Sequence, residues 1–128
     1  MINTLLIPEL REMLAEYLAR DGFETTVNLL GNGIALLCEH PDQVDHLLAG
    51  PAGWANAVEE VLRYDPPVLL TGRSCVADTE VAGHRIPAGT FVSTVLLAAN
   101  RDPAVFADPH TFDVTRENAR DHISFSAG

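Results

Sequence analysis

Two consecutive prolines, Pro66 and Pro67, divide this sequence into halves that cannot share one architecture. Proline lacks the amide proton of an interior helical hydrogen bond, and it pushes the residue before it toward extended geometry. A helix running into Asp65-Pro66-Pro67 must therefore stop there. Before the prolines, apolar residues recur at helical spacing. After them, β-branched and apolar runs are broken by Gly83, Pro87 and Gly89, the punctuation of hairpins. The expected fold is mainly α with a small antiparallel β part (α+β): helices up to Tyr64, then a small sheet with long loops.

In the helical half, "PELREMLAEYLAR" sets Leu10, Met13, Leu14, Tyr17 and Leu18 on one face, opposite Glu9, Glu12, Glu16 and Arg20. "DGFETTVNLLGNGIALLCEH" is apolar nearly all round beyond Thr26, as a buried helix would be. It nevertheless carries Gly22, Gly31, Gly33, Thr25 and Thr26, which weaken helix propensity. "PDQVDHLLAG" predicts a short helix closed by Gly50, and "GWANAVEEVLRYDPP" one with Trp54, Val58, Val61 and Leu62 inward. Beyond the prolines, "VLLTGRSCV" and "EVAGHRIPAGTFV" read as strands, "STVLLAAN" as a strand or, by preference, a helical turn, and "RDPAVFADPHTFDVTREN" as loop.

The 128 residues, 47% of them hydrophobic, suffice for one modest packed domain. Eight Lys and Arg against 18 Asp and Glu give a formal net charge of −10, which argues against nucleic acid and anionic membrane surfaces as partners. The start, Met1-Ile2-Asn3, has no basic region and no apolar signal core follows, so the cytoplasm is the expected compartment. Cys38 and Cys75 are expected as reduced thiols. Cys38, His40 and His46 match no zinc spacing, and "GNG" inside a helical run is no phosphate loop.

Three groupings bear on chemistry. Glu24 and Thr25 put an acid beside a hydroxyl just where a helix turns apolar, which is costly unless the pair is solvated or used. Alternatively, Thr25 or Thr26 caps a helix that begins at Val27. Glu60 and Arg63 share a helical face and can pair. On spacing alone this is a surface pair of little consequence, although apolar flanks also permit a buried one. Arg73 is a lone guanidinium inside an apolar strand; it either grips a carboxylate or phosphate or points to water from an edge strand.

The order of these pieces resembles one family. Gly22-Phe23-Glu24-Thr25-Thr26, "EEVLRYDPPV", Arg73, "GHRIPAGT", "ANRDPAVFADP" and "FSAG" follow one another as in bacterial cytochromes P450, the heme-thiolate monooxygenases. The resemblance spans residues 22–128 and leaves 1–21 as an atypical N-terminal helix. It implies a heme cofactor, an apolar small-molecule substrate, and electrons from a redox partner such as a ferredoxin and its reductase. Glu24 and Thr25 match the family's acid–alcohol pair, which steadies dioxygen and relays protons. Glu60 and Arg63 match its buried Glu-x-x-Arg brace, and Arg73 its arginine on a heme propionate. Gly22, Phe125 and Gly128 fall at cofactor-contacting positions. Phe23, Val68, Leu69, Leu70 and Thr71 would line the substrate pocket.

"FSAG" resembles the opening of the family's Phe-x-x-Gly-x-x-x-Cys-x-Gly loop, so the iron's cysteine ligand is expected beyond Gly128 and no metal ligand within these residues. Asp21 stands where the family has a small residue, and Thr111 where an arginine often completes the Glu–Arg brace. The expectation is an internal piece of a monooxygenase gene, inactive by itself. The alternative is a non-enzymatic remnant or a small acidic interaction domain.

Overall fold

The computed structural model describes residues 22–50 and 53–126. The amphipathic segment within residues 1–21, including Asp21, lies outside these, as does Gly128. Three helices come first: α1 (Phe23–Glu39), α2 (Pro41–Ala49) and α3 (Gly53–Tyr64). Pro41 fits the first turn of α2, where a missing amide costs nothing, and the His40 amide closes α1 onto the Leu36 carbonyl at 3.0 Å. Gly50 follows α2 in extended geometry instead of a left-handed cap. α3 stops at Tyr64, just before Asp65-Pro66-Pro67.

Strands follow in antiparallel pairs. β1 (Leu70–Ser74) pairs with β4 (Phe91–Val95) in the register Leu70↔Val95 to Ser74↔Phe91. Between them in sequence, β2 (Thr79–Val81) and β3 (His84–Ile86) form their own hairpin. Its two-residue loop has Ala82 at φ 50° and Gly83 at φ 79°, the positive angles that let a tight turn follow the strand twist. "STVLLAAN" divides between two states: Ser93–Val95 complete β4, and Leu96–Ala99 form the short helix α4. From Asn100 to Ser126 the chain is turns and loop, apart from one 3-10 turn at Ala119–Asp121.

The core lies where α1, α2 and α3 meet the returning loop. Leu36, Leu47, Ala57, Val61, Phe112 and Val114 form one buried cluster. Side-chain amides fasten the loop to it: Asn56 Nδ2 donates to the Val114 and Arg116 carbonyls at 2.9 and 3.0 Å, and the Val114 amide donates to Gln43 Oε1 at 2.9 Å. Asn32 Nδ2 ties α1 to the Asp65 carbonyl at 3.0 Å, in the turn that stops α3.

Two expectations about packing need correction. Trp54 and Val58 are not inward: they are 45% and 51% exposed and flank an open apolar groove of about 250 Å³ between α1 and α3. Nor is α1 enclosed. Leu36 is its buried residue, while Phe23, Val27, Leu30 and Ile34 form an exposed stripe at helical spacing. All-round apolarity marks a helix whose faces need partners, and the described residues supply only some of them.

Asparagine tolerates positive φ better than alanine, so Ala82→Asn is expected to raise stability by up to ~1 kcal/mol, read from chemical denaturation. Asp78 anchors the same hairpin. Its carboxylate accepts the Ala88 amide at 2.9 Å and pairs with Arg85; the amide bond first, then the arginine, hold it below the ordinary 3.8. A carboxyl depressed on folding stabilises above its unfolded value and loses that contribution as pH falls through the folded one. Acidification below 3.8 should therefore release the Ala88 amide, visible as faster hydrogen exchange there, and Asp78→Asn should abolish that step.

Candidate active site and its buried brace

Three residues apart on α3, Glu60 and Arg63 face the same way, and both are fully buried. The contact is two-pronged: Arg63 Nε donates to Glu60 Oε2 at 2.7 Å and Arg63 Nη2 to Oε1 at 2.8 Å. The weak surface pair suggested by spacing alone is thus replaced by a dry, bidentate one. A second guanidinium joins it. Arg116 Nε approaches the Glu60 carboxylate at 3.3 Å, and the Asp113 amide donates to Oε1 at 3.0 Å.

One carboxylate against two arginines leaves an excess positive charge in the interior, which must be compensated. Backbone carbonyls do this. Arg63 donates to those of Asn100, Pro109 and Thr111, and Arg116 to those of Ala107, Asp108 and Thr111, at 2.6–3.3 Å. The Thr111 carbonyl receives both guanidinium groups. Thr111 therefore does not leave the brace incomplete: Arg116 is the completing arginine, and Thr111 serves through its backbone. The available signal was an arginine four residues past buried Phe112, in "FDVTR".

The segment leading to Phe125 is held against the same helix. Ser124 Oγ donates to the Leu62 carbonyl at 2.6 Å and accepts from Asn100 Nδ2 at 2.8 Å. Asn100 Oδ1 receives the Ile123 amide at 2.9 Å. Beyond these ties, Phe125 projects outward, 78% exposed, and Ser126 adopts φ 65°, a left-handed conformation that favours glycine.

The remaining predicted residues occupy two separate places. Glu24 and Thr25 sit in the first turn of α1, Glu24 exposed and Thr25 half-buried. Neither Thr25 nor Thr26 caps the helix, because Gly22 already has near-helical angles (φ −97°, ψ −31°). Thr26 Oγ1 instead donates to the Gly22 carbonyl at 2.7 Å, the four-residue back-bond of a hydroxyl inside a helix. Gly22, Phe23, Thr26, Val27 and Leu30 line an open apolar hollow of about 370 Å³. Arg73 lies on β1 and is exposed; Nη1 donates to the Gly72 carbonyl at 2.9 Å and Nη2 to Ser126 Oγ at 3.4 Å. Val68 and Thr71 are half-buried and Leu69 and Leu70 exposed; Thr71 Oγ1 meets Thr94 Oγ1 at 2.8 Å across the strands. Phe23 is one of the residues lining the α1 hollow.

The cytochrome P450 family model matches residues 55–128. This chain belongs to the cytochrome P450 family. It is 57% identical over 107 residues to a putative cytochrome P450 140 of Mycobacterium tuberculosis, covering 84% of this chain and 24% of that one. It is 47% identical to the 6-deoxyerythronolide B hydroxylase of Saccharopolyspora erythraea, covering 84% and 26%. Among solved structures, cytochrome P450 CREJ superposes with a TM-score of 0.86 at 36% identity, covering 99% of this chain and 32% of that one. P450BioI, in complex with an acyl carrier protein bearing hexadec-9Z-enoic acid, gives 0.83 at 43%, covering 87% and 29%. The chain spans about a quarter of the length of these curated relatives.

Two features of this P450 chain fit a heme. The exposed stripe and hollow on α1 offer a nonpolar surface for a flat macrocycle, and the Arg73 guanidinium carries no carboxylate partner among the described residues. Neither cysteine lines that hollow. Cys38 is eight residues past Leu30, about 12 Å along the helix, and Cys75 Sγ lies 3.0 Å from the Ala77 carbonyl.

Removing the Glu60 charge strands two guanidinium groups, so Glu60→Gln is expected to cost about 3–5 kcal/mol in urea unfolding. Arg116→Lys, lacking the planar fork, should recover only part of the loss caused by Arg116→Ala.

Proposed function

We propose that this segment forms the distal helix, the brace and the start of the ligand loop of a heme-thiolate monooxygenase that oxidises an apolar small molecule. The observation carrying this reading is the Glu60–Arg63–Arg116 brace, joined through Asn100 and Ser124 to the loop entering Phe125. A buried charge network of this cost holds a particular backbone path in place, and that path runs toward the expected cysteine beyond Gly128.

Heme, when bound, supplies the redox chemistry of oxygen-atom transfer. The chain's own groups orient and protect. Arg73 would grip a propionate carboxylate, with Ser126 Oγ as the neutral acceptor it exchanges for that ligand. Phe23, Val27 and Leu30 would exclude water from the distal side, which preserves reactive species against solvent. Exposed Glu24 can take a proton from water at its carboxylate, and Thr25, half-buried beside it, can hold one at Oγ1. Val68, Leu69, Leu70 and Thr71 would form the substrate wall opposite α1, as an apolar substrate requires. A ferredoxin-type partner and a cytoplasmic setting accompany this reading.

The 128 residues by themselves are expected to take up heme loosely and to lack turnover. Arg73→Leu should weaken heme binding roughly tenfold, the effect of losing one charge-assisted contact. Reduction under carbon monoxide should give no thiolate-type carbonyl spectrum. Such a spectrum would refute this assignment, since it would require Cys38 or Cys75 at the iron. Failure of Arg73→Leu to change heme affinity would refute the propionate role.

A further inference from the structure

Successive glutamates on α3 hold different parts of the loop. Glu60 faces inward and gathers the stretch around Asp113 and Arg116; Glu59, 30% exposed at its side chain, reaches the stretch after the 3-10 turn. There the His122 side chain is nearly fully buried at 4% exposure, with Nε2 3.1 Å from Glu59 Oε2. Its other ring nitrogen, Nδ1, lies 3.2 Å from the Ser124 amide nitrogen. An amide N–H can only donate, so Nδ1 must offer a lone pair. The ring proton is therefore on Nε2, where it donates to Glu59. A doubly protonated ring would set donor against donor at Ser124.

We propose that His122 is a positioning residue: as its Nε2–H tautomer it clamps the start of the ligand loop to α3 through Glu59, a second attachment beside the Glu60 brace. Nε2 fixes the loop to the helix. Nδ1 closes the turn that points Ser124 Oγ at the Leu62 carbonyl and carries the chain on to Phe125, whose ring centroid lies 5.8 Å from that of His122. Arg120, whose Nε is 3.9 Å from Glu59 Oε1, approaches the same carboxylate from the solvent side and leaves Oε2 to the histidine. The functional meaning of the clamp rests on the heme-thiolate reading above; its geometry does not.

The test uses the full chain labelled with 15N at histidine. Ring correlations should show His122 with a bare Nδ1 and a protonated Nε2; a proton on Nδ1 at neutral pH overturns the proposal. His122→Ala should speed amide exchange across Ser124–Ser126 about tenfold, as expected for loss of a hydrogen bond to a charged group. His122→Asn keeps an acceptor for the Ser124 amide, in Asx-turn geometry, but cannot reach Glu59. It should restore protection at Ser124 and leave Phe125 and Ser126 fast. Glu59→Ala, at a partly exposed position, should give the same Phe125 and Ser126 result without the risk of unfolding. Unchanged exchange in Glu59→Ala, or complete restoration by Asn, overturns the clamp. None of these readouts needs heme, so a chain that shows the clamp but takes up no heme refutes the monooxygenase reading alone.

Discussion

A single carboxylate without access to water organises this structure. Burying a carboxylate in a dry interior is costly unless cations meet it, and two meet Glu60, Arg63 from its own helix and Arg116 from the distant loop. Their surplus charge in turn demands acceptors, and the carbonyls of Asn100, Ala107, Asp108, Pro109 and Thr111 meet it. A segment with almost no regular secondary structure thereby acquires a defined path. Its order comes from guanidinium groups reading its carbonyls, in place of the ladder that a strand would provide.

The divide at Pro66-Pro67, the three helices before it and the antiparallel strands after it were legible because local rules dictate them: proline chemistry, apolar periodicity and turn residues. The Glu60–Arg63 spacing was equally legible. Its burial was not, since side chains three apart pair just as readily in water. Arg116 was missed for a related reason: it lies 56 residues from Glu60, and no local pattern marks a residue that works at such a distance. Thr111 misled because its side chain is what a sequence displays, whereas its carbonyl does the holding.

Trp54 and Val58 illustrate a different limit. Periodicity identifies which face of a helix is apolar but not what covers it. On α3 the apolar face is divided: Ala57 and Val61 pack into the cluster with Phe112 and Val114, while Trp54 and Val58 line the groove beside α1. The stripe Phe23, Val27, Leu30 and Ile34 follows the same rule. In relatives about four times as long, such faces have far more chain available to meet them.

The brace also has a consequence in time. Arg63 finds its carbonyl partners 37, 46 and 48 residues downstream, and Glu60 meets Arg116 only after 56. As the chain emerges from synthesis, α3 can form its own Glu60–Arg63 contact at once, but that contact must stay hydrated until the loop arrives. Closing contacts at such separations carries the loop-closure entropy that slows folding. The loop from Asn100 to Arg116 therefore enters the interior as the late step, and the helix that looks like the centre of the structure spends the early part of folding at its surface.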